Sequence, residues 1–268
     1  MTIRRAAVAG QFYDGDPKLL NFRLSQYIGT VAKARPAIAL IAPHAGYMYS
    51  GAVAGAAYAE VDVPETVVIL GVNHTGLGAR AAVMATGAWA MPMGTVPIAS
   101  DLASLLLGMT SSLEDDVTAH LYEHSLEVQV PFLQFRQPAL RIVPICLGGL
   151  AYDTCEEIGG AIALAVGRYG KPALIVASTD MTHYESQERA NAQDRLAIDR
   201  ILALDPRGLY ETVRGHGISM CGVIPTTITL VAAKALGAKR ARLVRYATSG
   251  DVTGDYRQVV GYASFIVD

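Results

Sequence analysis

Short apolar stretches recur along the chain at residues 37–42, 66–71, 140–147 and 173–177, and each runs into glycine, histidine or hydroxyl residues. Runs of this length suit strands covered on both faces, as in a parallel sheet sandwiched by helices. The intervals between them carry helical spacing or helix-start signals. Asp16 caps and Pro17 opens a helix from Lys18 to about Ala34, with Leu20, Leu24 and Tyr27 on one face. A small-residue helix starts at Gly51 and another runs from Ser100 through Leu107. Asp153 caps a helix to about Tyr169, with Ile158, Ile162 and Val166 in register. Further helices are predicted over 187–203, 206–214 and 225–236, and an apolar-faced one from Leu126 that Pro131 kinks or restarts. Residues 81–85 read as a short strand, 89–98 as a loop or irregular edge, and 111–120 as a polar loop. Two closing strands follow at 242–247 and 259–267, the second alternating as if half exposed. With no linker, repeat or low-complexity segment, the pattern predicts one three-layer α/β domain over residues 1–268, built on a mostly parallel central sheet.

Composition narrows the function classes. The 268 residues carry a formal net charge of -2 and are only 17% charged. Lys and Arg are scattered singly, so neither a nucleic-acid footprint nor a polybasic membrane patch is present. No apolar run approaches membrane-spanning length, and the N-terminus lacks a secretory h-region. Three cysteines, Cys146, Cys155 and Cys221, form no CxxC pair, which points to a reducing, cytoplasmic setting.

The candidate chemistry lies where strands end, the edge at which open α/β sheets bind ligands. His44 follows the first apolar run and His74 the second. If the two strands are neighbours, both imidazoles share one edge of the sheet. The fourth run ends in Ser178-Thr179-Asp180-Met181-Thr182-His183. Each of these histidines can equally be a turn residue capping local backbone. Cys221, between glycine-rich turns and ahead of a helix, is the natural third ligand if its thiolate is stabilised by the helix N-terminus. It is otherwise a small buried hydrophobe. A His/His/Cys set suits iron, copper or zinc rather than magnesium or calcium. Asp180 and His183 suit a supporting carboxylate and a general base, or a capped turn. Glu123-His124 carries the same alternatives, while Cys146 and Cys155 read as core residues. GxGxxG, P-loop and GxSxG patterns are missing, which disfavours nucleotide binding and α/β-hydrolase chemistry.

Seven co-linear motifs, AVAGQFY, IAPHAGYMYSG, ILGVNHTG, EHSLEVQVPFLQ, STDMTHY, ISMCG and YATSGDVTGDY, resemble the Memo family, whose prokaryotic members are also called AmmeMemoRadiSam system protein B. The resemblance implies a fold similar to class III extradiol ring-cleaving dioxygenases, which hold non-haem iron with two histidines and a glutamate. It implies His44, His74 and Cys221 as ligands to Fe(II) or copper, with zinc less favoured, and His183, Asp180 and His124 as catalytic pocket residues. Cys221 stands where the dioxygenases have glutamate, which alters the charge on the metal. The implied function is a metal-dependent, dioxygenase-like oxidoreductase acting on a small molecule, associated with AMMECR1-like and radical-SAM proteins. A peptide- or protein-binding module using the same pocket is the alternative, and a zinc-dependent hydrolase the third.

Overall fold

A computed structural model describes residues 2–31 and 34–268. The chain begins with a short strand, β1 (Ile3–Arg5), and the helix α1 (Pro17–Ile28). Asp16 caps α1 by accepting from the amides of Lys18 and Leu19, both at 2.9 Å. The helix stops at Gly29, whose φ of 63° only glycine adopts cheaply, six residues short of the expected Ala34. The last part of that expectation, Ala32 and Lys33, lies outside the described residues. The buried face is Leu20, Leu24 and Ile28. Tyr27 instead packs on α2 (Tyr47–Glu60), where a Cβ at Gly55 would meet its carbonyl oxygen at 2.4 Å. The α2 helix starts one turn earlier than predicted because Gly46 itself serves as N-cap.

Strands β2 (Ala39–Ala42) and β3 (Thr66–Val72) follow on either side of α2, and β4 (Ala81–Val83) comes next. Residues 89–98, expected as a loop or irregular edge, form a hairpin of β5 (Ala88–Met91) and β6 (Gly94–Pro97). β1 joins it in parallel to make a separate three-stranded sheet. Its two prolines fall at tolerated places, one in the turn and one at a strand end. After α3 (Ser100–Leu107) comes the two-residue β7 (Glu114–Asp115). The segment at Leu126 is split: a 3-10 turn, Glu127–Gln129, leads into α4 (Val130–Arg136), with Pro131 in its first turn.

The second half alternates β8 (Arg141–Leu147), α5 (Tyr152–Tyr169), β9 (Ala173–Ser178), β10 (His183–Glu185), α6 (Gln187–Leu202), α7 (Pro206–Gly215) and α8 (Val223–Ala235). It closes with β11 (Ala241–Thr248), the short α9 (Gly250–Thr253) and β12 (Val259–Val267). Ala151, rather than Asp153, occupies the α5 N-cap position, and Asp153 sits in the first turn, where its charge still complements the helix dipole.

The main sheet runs β10-β12-β2-β9-β3-β8-β4-β7, with β11 paired to β12. Its centre, β2-β9-β3-β8, is parallel, while β12 and β4 flank it antiparallel. The expected adjacency of β2 and β3 is therefore corrected: β9 lies between them. Side chains of these central strands alternate between two cores. Ala39, Ile41, Val68, Leu70, Ile175 and Ala177 face α3, α5, α6, α7 and α8. Leu40, Ala42, Val67, Ile69, Leu174 and Val176 face α1, α2 and α4. Covering both faces makes every second residue buried too, hence the continuous apolar runs. β12 is also buried nearly throughout, not half exposed, because α2 and α6 pack against it while β11 covers its edge. Among the described residues no helix is long and apolar enough to cross a membrane.

Candidate functional site

The carboxyl ends of β2, β9 and β3 lie side by side, so His44, the 178–183 segment and His74 converge on one edge of the sheet. The imidazole of His44 is 2% exposed. Its amide donates to Asp180 Oδ1 at 2.8 Å and its Nδ1 meets Ser178 Oγ at 3.1 Å. Its Nε2 faces Cys221 Sγ at 3.2 Å. Cys221 arrives from the loop between α7 and α8, one residue before the N-cap Gly222. At its Cys221 end that loop is pinned by Gly222 N–H to Thr179 Oγ1 at 3.0 Å and Asp180 N–H to Cys221 Sγ at 3.3 Å. A side chain at Gly222 would strike Thr179 Cβ at 2.3 Å, so the approach requires glycine.

His74 is held by Glu123, a fully buried carboxylate. Glu123 accepts the His74 amide at 2.6 Å and His74 Nδ1–H at 2.9 Å, as well as the amides of His124 and Ser125. Burial alone would push this carboxyl up, but the His74 and Ser125 hydrogen bonds outweigh it and hold its pKa at about 2. His124 stacks on His74 with ring centroids 4.6 Å apart, and both rings stand nearly perpendicular to His44.

Donor atoms of His44, His74 and Cys221 all lie within 4.8 Å of one another, a group able to hold a metal ion. A second group, His74, Glu123 and His124, is equally close. There, however, the carboxylate oxygens are already occupied by the hydrogen bonds just described. Burial first, then the neighbouring His74, lower the His44 pKa to about 3; burial and His44 lower that of His124 to about 4. Both rings are therefore neutral at physiological pH, the form that offers a lone pair to a metal. For Cys221 the expected helix-end stabilisation of a thiolate does not win. Burial and the Asp180 carboxylate push the thiol well up, so the metal-free side chain keeps its proton.

His183 occupies the first position of β10, paired with Val260 of β12. Its Nδ1–H donates to the Ser219 carbonyl at 2.9 Å, and its amide donates to Ser219 Oγ at 2.8 Å. That leaves Nε2 as its basic nitrogen. The next residue, Tyr184, adopts φ 59°, a strained conformation of the kind that gathers at functional sites. Asp180 is buried, and its carboxyl is pushed up by burial against the opposing pull of the His44 amide. Cys146 and Cys155 are fully buried core residues, as expected.

Glu123 as the partner of His74, together with Ser178, Ser219 and Gln129, escaped sequence reasoning. The signal was weak but present: Glu127 and Gln129 interrupt an otherwise apolar run, and Ser178 ends a buried strand on a hydroxyl.

Comparison with known proteins gives the chain's family. The Memo-like protein family matches residues 4–266. A MEMO1 family protein of Methanopyrus kandleri is 46% identical, over 98% of each chain. One from Methanothermobacter thermautotrophicus is also 46% identical, over 97% of this chain and 99% of its own. The fold is similar to the crystal structure of an uncharacterized protein from Escherichia coli K12, at a TM-score of 0.54 and 13% identity, covering 84% of this chain and 98% of that one. With its motifs in order and nearly its whole length matched, the chain belongs to the Memo-like family.

Proposed function

We propose that the protein is a metal-dependent oxidoreductase in which His44, His74 and Cys221 hold Fe(II) or copper and His183 moves protons. The observation that carries this reading is the meeting of two imidazoles and one sulfur, from three distant segments, within 4.8 Å. The donor set fits the group: two neutral nitrogens and a sulfur suit borderline and soft metals. Three protein donors also leave positions open for substrate, as catalytic sites do. When bound, such an ion supplies Lewis acidity and one-electron chemistry with O2 or substrate.

The chain's own residues do the rest. Glu123 and Ser178 fix the ring orientations of His74 and His44. The Cys221 thiol loses its proton on ligation, and the buried Asp180 lies beside it. His183, with Nδ1–H committed to Ser219, accepts a substrate proton at Nε2. His124, uncharged and stacked on His74, lines the pocket. The substrate in this reading is a small molecule, and the functional associates are an AMMECR1-like and a radical-SAM protein, as the family resemblance implies.

The test is oxygen uptake by Fe(II)- or copper-loaded protein across a panel of small dihydroxy-aromatics. His183→Gln is expected to cut turnover about 10²–10⁴-fold while metal content stays the same. Unchanged turnover, or activity with zinc alone and no oxygen, contradicts the proposal. A second reading, a peptide- or protein-binding module, draws support from an adjoining cavity of about 650 Å³ lined by Phe12, Tyr27, Tyr47 and Tyr49. Phe12 also packs 4.9 Å from His124. Complex formation that survives His44→Ala and His74→Ala would favour it.

A further inference from the structure

Behind His44, on the side away from Cys221, the Ser178 hydroxyl that orients its ring is one end of a chain of buried polar groups. Tyr58, Gln129 and Ser178 are all inaccessible to solvent. Tyr58 O–H meets Gln129 Oε1 at 3.0 Å. Gln129 Nε2 lies 2.9 Å from the Pro43 carbonyl and 2.8 Å from Ser178 Oγ. Ser178 Oγ lies 2.6 Å from the Ser125 carbonyl and 3.1 Å from His44 Nδ1.

The direction of every proton in this chain follows from its two backbone carbonyls, which can only accept. Turning the Gln129 amide over would set its oxygen against the Pro43 carbonyl, so the nitrogen must face Pro43 and Ser178. The amide oxygen then faces Tyr58, whose hydroxyl donates to it. The single hydroxyl proton of Ser178 goes to the Ser125 carbonyl, its shortest contact. Ser178 Oγ is left with lone pairs only, one taken by Gln129 N–H. The remaining one faces His44 Nδ1, which must therefore carry the hydrogen.

We propose that Tyr58, Gln129 and Ser178 form a tautomer lock, positioning residues that force the hydrogen of His44 onto Nδ1 and so aim a bare Nε2 at Cys221. The lock also divides labour within the site. His44, with no route for a proton on its buried side, serves only as a donor atom, and proton movement is left to His183. The ligand role of His44 rests on the metal-centre reading above, whereas the tautomer assignment does not.

The experiment is a tautomer-sensitive ¹H–¹⁵N correlation spectrum of histidine-labelled, metal-free protein at neutral pH, paired with Fe(II) affinity measured anaerobically by chelator competition. In the wild type, His44 is expected as a single Nδ1–H form. In Ser178→Ala that preference is lost, and Fe(II) binding weakens about 10–100-fold, the usual cost of removing a ligand's hydrogen-bond partner. Ser178→Thr, which keeps the hydroxyl, restores both. A residue that served only to pack the core would leave the tautomer unmoved in the alanine variant. Finding Nε2–H in the wild type, a measurement that needs no variant to fold, overturns the proposal. So does a Ser178→Ala protein whose His44 spectrum matches wild type. A locked Nδ1–H form released by Ser178→Ala, in a protein that takes up no Fe(II), keeps the lock and removes the metal reading instead.

Discussion

His120 is fully buried, and neither ring nitrogen has a hydrogen-bond partner among the described residues. Burial, then the charge of Arg4, lower its pKa from 6.5 to about 4. The fold therefore favours the neutral ring, so its contribution to stability is complete above pH 6.5 and is lost as pH falls towards 4. The shift corresponds to a loss on the order of 3 kcal/mol at full protonation. Urea unfolding measured from pH 7 down to pH 4 should show this slope, and His120→Leu should remove its share, leaving the part due to His44 and His124. At Glu123, replacement by Gln removes the charge that organises His74. Metal affinity should drop about 10–100-fold and stability by about 2 kcal/mol, read by chelator competition and thermal melting. His44, His74, His183 and Cys221 were visible in the sequence because each follows a strand or glycine turn. The partners of Glu123, Ser178 and Gln129 were not, because a polar residue read by itself does not reveal which group, some fifty positions away, it satisfies.

Among elements, β1 is attached to the site's supporting loop by one buried ion pair. Arg4 pairs with Glu127, donates to the carbonyls of His120 and Glu123, and lies over the ring of Trp89. Glu127 in turn accepts the amides of Ala7 and Val8 and the hydroxyl of Tyr13. Arg4→Ala strands a buried carboxylate and should cost about 3–5 kcal/mol in denaturant unfolding. Gly222→Ala should displace the Cys221 loop and reduce metal uptake more than it lowers the melting temperature, since the clash with Thr179 falls beside the site. Most central helices and strands were legible to within a few residues, their periodicity reinforced by caps such as Asp16. What misled was pairing. Two apolar strands separated by a helix look like neighbours, and only the tertiary fold inserts β9 between them. The prolines of the β5–β6 hairpin left a loop and an irregular edge both open, and the fold makes it the edge.

For the whole molecule, four parallel strands with helices on both faces create an edge where chain segments distant in sequence meet. The fold class was readable because two-sided burial writes continuous apolar runs into the sequence. Whether His44, His74 and Cys221 bind one metal ion can be read most directly by X-ray absorption at the metal edge of protein purified without oxygen. Stoichiometric iron or copper is expected, with a sulfur neighbour at about 2.3 Å, near the thiolate distance known for zinc, and with that sulfur signal lost in Cys221→Ser. Wild-type protein with no bound metal, or a metal whose coordination is the same in Cys221→Ser, would contradict binding by these three residues.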